Sequence, residues 1–131
     1  MEKCSYYMKL LDVFKNNEVI LSFLFFVLVE SMGHLFNFYD APNYDVITHF
    51  AGGVFATFFV YHYSKLNKIR LTNLILVLIV LGIASLWEIS EFIALTFFNL
   101  NIFTSFADSL KDLLVGLIAS LATLYDINNK K

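Results

Sequence analysis

The chain reads as an all-α integral membrane protein, a four-transmembrane-helix bundle with both termini cytoplasmic. Three observations lead there. Hydrophobic residues fill 59% of its 131 positions, they gather in four runs long enough to cross a bilayer, and the basic residues sit at alternate ends of those runs. Mean hydropathy is +0.70, above what a water-soluble domain of this length usually carries. Pro42 is the sole proline and there are five glycines, so long helices are allowed and turn-rich architectures are not.

A hydrocarbon core of about 30 Å takes about 20 helical residues. The apolar runs therefore predict helices over 19–38, 45–63, 71–98 and 106–125, after a cytoplasmic segment 1–18 and before a cytoplasmic tail 126–131. The first run follows Lys15 and lacks a small-x-small cleavage pattern, so it reads as a retained span and not a signal peptide. Tyr39-Asp-Ala-Pro-Asn43 separates the first two helices, and Asn99-Leu-Asn101 interrupts the third apolar run. Thr104 and Ser105 stand where the last helix wants an N-cap, with Asp108 in its first turn, where a carboxylate offsets the helix dipole. Tyr39, Tyr44, Tyr61, Tyr63 and Tyr125 fall near helix ends and suit interfacial belts.

Charge sets the orientation. Lys3, Lys9 and Lys15 precede the first helix, Lys65, Lys68 and Arg70 join the second to the third, and Lys130 and Lys131 follow the fourth. With four spans all three groups share one side, which the positive-inside rule makes cytoplasmic. The expected location is the cell membrane, as a multi-pass protein in contact with lipid. Homo-oligomerisation is compatible with this reading, and nucleic acid is not an expected partner. Cys4 is the lone cysteine, which excludes an intrachain disulfide and a cysteine-rich zinc module.

Each apolar run carries one ionisable pair at helical spacing: Glu30 and His34, Asp45 and His49, Glu88 and Glu91, Asp108 and Asp112. Residues four apart differ by about 40° around a helix and residues three apart by about 60°, so each pair shares a face. In the assigned orientation the first and third pairs come late in outward-running helices, and the second and fourth come early in inward-running ones. All eight then lie toward the outer side, with Glu88 deepest at about 15 Å from its helix end. A charged side chain inside lipid costs roughly 2.5–3.5 kcal/mol on insertion scales, so the grouping calls for a cation, a proton or both. Facing helices of a four-helix bundle build metal sites from such carboxylates and imidazoles.

The expected ligands are His49, Glu88, Asp108 and Asp112, with Glu30 and His34 as further candidates, and Glu91 or Asp45 as general base. Oxygen-rich donors with few histidines suit a divalent metal, whether zinc, magnesium, manganese or iron. The chemistry expected is hydrolysis or transfer on a lipid-linked or extracytoplasmic substrate. Lys111 lies about 100° from Asp112 around the helix. It can neutralise the site, bind an anionic head group, or snorkel to the interface, the direction its position favours. His62, near the basic end of the second helix, reads as an interfacial side chain outside the site.

Two other classes stay open at this level. Cation or proton transport needs polar groups through the full depth, whereas Val54–Val60, Leu74–Ala84 and Leu117–Ala122 are apolar apart from Thr57 and Ser120. A structural or accessory subunit would use the polar pairs as glue, yet interhelical polar contacts average well under about 2 kcal/mol. The sequence contains no H-x-x-x-H, H-E-x-x-H or G-x-S-x-G arrangement, which disfavours histidine-rich oxygenases, zincin-type proteases and serine hydrolases with a nucleophile elbow. Asp108-x-x-x-Asp112 lacks the Asp-Gly and Ala-Arg elements that accompany such a run in enzymes of phospholipid head-group transfer.

Taken in order, Asp45-x-x-Thr-His49-Phe50-x-Gly52-Gly53, Trp87-Glu88-x-x-Glu91 and Asp108-x-x-x-Asp112-x-x-x-Gly116 resemble the YjdF-like family of small multi-pass membrane proteins, over about residues 45–120. The resemblance implies a polytopic helical membrane protein and carries no biochemical activity. A looser similarity runs to VanZ-like proteins, but Leu113-Leu114-Val115 stands where their last helix would be expected to show Asp-x-x-Asn.

Overall fold

The computed structural model describes residues 10–41, 43–98 and 106–130. They form four long helices: α1 (Asn17–Leu35), α2 (Tyr44–Leu66), α3 (Asn73–Phe98) and α4 (Phe106–Asn129). No strand occurs among the described residues. The expected stop at 99–101, the cap at Thr104 and Ser105, and Pro42 lie outside them.

Local chemistry accounts for the helix ends. At the start of α1, the Asn16 side-chain oxygen accepts from the Glu18 and Val19 amides at 2.8 and 3.4 Å, meeting two donors that the first turn leaves open. The helix stops three residues short of the expected 38, because Asn37 turns left-handed and a 3₁₀ turn follows at Phe38–Asp40. Asn43 repeats that conformation just before α2, and asparagine is the side chain that tolerates it best after glycine. α2 outlasts its predicted end at 63 and closes in a Schellman motif. Lys68 is left-handed, its amide bonds to Lys65 O at 3.0 Å, and the Ile69 amide bonds to Ser64 O at 2.8 Å.

α2 is the central helix, packing on α1, α3 and α4, while α3 and α4 also pack on each other. The α2–α4 seam is built from small residues. A Cβ at Gly53 would lie 2.9 Å from Ala119 Cβ and 3.0 Å from Gly116 O, so the two backbones touch there. In the half away from the carboxylates, Val60, Leu76, Val77, Val80, Leu124 and Ile127 form the core shared by α2, α3 and α4. α1 contributes nothing to that cluster and leans on α2 instead. Residues 10–15, placed by the sequence in the cytoplasmic segment, fold against the bundle, with Val13 fully buried and the Phe14 ring 5.6 Å from Phe23 and 5.8 Å from Phe59.

The outward faces are apolar. Leu21, Leu24 and Leu28 on α1 and Leu114, Ile118 and Leu121 on α4 are exposed at helical spacing, as are Leu78, Leu86 and Ile89 on α3. Water would penalise such continuous stripes, and lipid does not. α1 and the Asn73–Ile93 part of α3 are long and apolar enough to cross a membrane.

Candidate metal centre

His49 is the hub. One turn into α2, its imidazole lies where α2, α3 and α4 converge, with Nε2 3.2 Å from Asp45 Oδ1, 3.6 Å from Glu88 Oε1 and 3.9 Å from Asp112 Oδ2. Asp45 reaches it because four residues along α2 bring the two side chains to the same face. Glu88 reaches it from α3 and Asp112 from α4.

Burial sharpens the geometry. The side chains of His49 and Glu88 are each 11% exposed, and that of Asp112 only 5%. Glu88 Oε1 and Asp112 Oδ1 are fully enclosed and have no hydrogen-bond partner among the described residues. An unpaired buried carboxylate oxygen is costly, and satisfied ones are the rule. Glu88 Oε1 faces the imidazole, and Asp112 Oδ1 has the Lys111 ammonium 3.6 Å away, so positive charge is favoured at this place.

The donors form two groups of three, Asp45 with His49 and Asp112, and His49 with Glu88 and Glu91, each with its ligand atoms within 4.8 Å of one another. Donors bound at about 2.1 Å to one first-row ion stand roughly 3.0–3.4 Å apart in octahedral or tetrahedral geometry. Of the separations from His49 Nε2, the 3.2 Å to Asp45 falls in that range, and the 3.6 and 3.9 Å to Glu88 and Asp112 exceed it by at most half an ångström.

Other side chains orient this cluster. The Trp87 indole N–H donates to Glu91 Oε1 at 2.9 Å, one turn along α3. Lys111 curls back onto the acids: its Nζ lies 2.6 Å from Asp108 Oδ1, 3.6 Å from Asp112 Oδ1 and 3.8 Å from Asp45 Oδ2. The helical angle suggested a snorkelling lysine. Its four-carbon stem spans that angle, and three carboxylates hold the ammonium against one wall of the site.

The remaining expected ligands are placed differently. Asp108 is held by Lys111 and belongs to neither three-donor group. Glu30 lines the same cavity as His49 and Asp112 but accepts a hydrogen bond from the Tyr39 hydroxyl. His34 lies 3.7 Å from Glu30 and is 76% exposed, with its ring 5.0 Å from that of Tyr39. This pair forms a rim to the centre and does not share its donors. Burial, and then the bond to Glu30, push the Tyr39 phenol above its ordinary range, so it remains a donor through neutral pH. Sequence reasoning passed over Tyr39 because its partner lies on the helix before it, across a turn that periodicity does not describe.

A second polar cluster was also missed. At the opposite end, His62 Nε2 lies 2.9 Å from Glu18 Oε2, and Lys130 Nζ lies 3.3 Å from Glu18 Oε1 and 2.5 Å from Asp126 Oδ2. These contacts join the start of α1 to the ends of α2 and α4. The two carboxylates, Asp126 first, raise the Lys130 ammonium above its usual value.

Residues 12–127 match the family described as "Predicted membrane protein (DUF2238)", the YjdF family. The chain belongs to this family. The match spans nearly all of the described helices, and it agrees with the resemblance carried by the Asp45–Gly53, Trp87–Glu91 and Asp108–Gly116 motifs. As a YjdF-family member the chain is a membrane protein, which agrees with the apolar faces of α1, α3 and α4. Comparison with curated proteins and with solved structures returns no match.

Proposed function

We propose that this YjdF-family protein crosses the membrane four times with both termini cytoplasmic, and that its outward-facing centre binds a divalent cation for hydrolysis or transfer on a lipid-linked or extracytoplasmic substrate. One observation carries the reading: Glu88 and Asp112 bring their buried carboxylates from two different helices to within 3.6 and 3.9 Å of one imidazole nitrogen, and Glu88 Oε1 has no hydrogen-bond partner among the described residues. In this scheme His49 is a ligand together with Asp112 or with Glu88, which belong to the two different three-donor groups. Asp45 and Glu91, at the two flanks of His49, are placed to take a proton from an attacking water, and Trp87 holds Glu91 in position. The cation supplies Lewis-acid polarisation of a carbonyl or phosphoryl oxygen. Lys111 offers a positive charge beside the centre for an anionic group. Glu30, His34 and Asp108 border the site.

Two of the deeper hydroxyls, those of Thr57 and Thr123, favour this reading over a proton path. Thr57 donates to Gly53 O at 2.7 Å and Thr123 to Ala119 O at 2.8 Å, each back into its own helix. Neither passes a hydrogen bond from one helix to the next.

The test is elemental mass spectrometry on protein purified in detergent without an affinity metal, alongside Glu88→Gln and His49→Ala. Near-stoichiometric metal in the unaltered protein, lost in His49→Ala, is the expected outcome, and its loss or retention in Glu88→Gln decides between Glu88 and Asp112 as the partner ligand. Metal-free protein that stays so after incubation with zinc, magnesium, manganese and iron would overturn the proposal.

A further inference from the structure

The polar centre forms one end of a cavity of about 480 Å³. Its other walls are apolar, with Phe26 from α1, Phe55 and Phe59 from α2, and Ile83 and Trp87 from α3, while Phe14 lies at the inner end. His49 and Phe59 both line it and are separated by about 15 Å of helix rise. The cavity is therefore an elongated slot with a greasy shaft and a charged end, the shape that binds a molecule with one chain and one polar head.

Packing explains why the slot exists. α1 leans on α2 and does not join the core cluster that ties α2, α3 and α4 together. The space between α1 and α3 is bridged by an edge-to-face contact of Phe26 and Trp87, with ring centres 6.4 Å apart. Gly52 keeps the shaft open, since a Cβ there meets only the Phe26 ring, at 3.4 Å. Exposed leucines on α1 and α3 put the outer faces of both helices against lipid.

We propose that the slot holds the hydrocarbon chain of a single-chain amphiphile with a phosphate-type head, entering between α1 and α3 and presenting its head at His49. The head assignment rests on the cation reading above; the chain assignment rests on the cavity alone. Glu30, Asp45, Glu88, Glu91 and Asp112 would repel an anionic head from a metal-free site. A divalent cation at His49, with Lys111 beside it, offsets three of those five charges and would give an anionic oxygen a positive centre to bind.

Trp87 is the sole tryptophan and lines the slot, so the molecule carries its own reporter. The probe is dodecyl phosphate brominated along its chain, titrated into protein in nanodiscs while Trp87 fluorescence is followed. Gly52→Leu and Ala84→Leu fill the shaft from two different helices, and metal content is measured on the same samples. The expected result is saturable quenching, displaced by unlabelled dodecyl phosphate and weakened about tenfold or more in both variants, which keep their metal. Quenching that fails to saturate, or that both fillers leave unchanged, overturns the chain assignment even where metal is present. Saturable, filler-sensitive quenching that is the same with and without chelator overturns the head assignment and leaves the chain in the slot. Absence of metal overturns the cation reading separately.

Discussion

The imidazole of His49 on α2 faces the carboxylate of Glu88 on α3 across the bundle, with Nε2 3.6 Å from Oε1 and no hydrogen-bond donor on that oxygen. The separation is too long for a hydrogen bond and close to that of two ligands sharing one ion. In the proposed scheme His49 is a joint between helices, and an ion filling it would add to the hold of α2, α3 and α4 on one another.

Asp112 gives the thermodynamic form of this statement. A ligand present at a hundred times its dissociation constant stabilises the folded state by about 2.7 kcal/mol. Chelator should lower the melting temperature of the unaltered protein by several degrees. Asp112→Asn keeps the shape of the side chain and removes its buried charge, so its melting temperature should hardly respond to chelator. Equal responses from the two proteins would show that Asp112 is not a ligand.

The α2–α4 seam makes a prediction independent of any ion. Gly53→Ala forces a methyl group into Ala119 and the Gly116 backbone and should destabilise the protein by about 1–3 kcal/mol. Gly82 has nothing among the described residues within 4 Å of where its Cβ would stand, so Gly82→Ala in the interior of α3 should leave stability unchanged or raise it by up to about 1 kcal/mol. Thermal melts in one detergent decide the pair, and a harmless Gly53→Ala would mean that the two helices do not touch as described.

Topology is open to direct labelling. In a Cys4→Ser background, Ala41→Cys should react with a membrane-impermeant maleimide in intact cells. Lys68→Cys should react only after permeabilisation. The reverse pattern would invert the orientation and place the centre on the cytoplasmic side.

Much of this protein is legible in its sequence because the governing forces are local. Helix content, the apolar runs and the shared face of Asp45 and His49 follow from periodicity and from the cost of polar groups in lipid, and neither depends on a distant residue. Local chemistry also moved boundaries that composition could not place: Asn37 ended α1 early, and the Schellman closure at Lys68 carried α2 past its expected end.

Only the tertiary structure decided which pairs share donors. His49, Glu88, Glu91, Asp45 and Asp112 meet because the glycine and alanine seam draws α4 onto α2 and the Val80 core draws α3 onto both. Glu30 and His34 have the same four-residue spacing as Asp45 and His49. α1 stands off from that core, so Glu30 turns to Tyr39 and His34 to the surface. The gap α1 leaves is the slot itself, a feature set by how tightly helices pack and therefore absent from the pattern of any single helix.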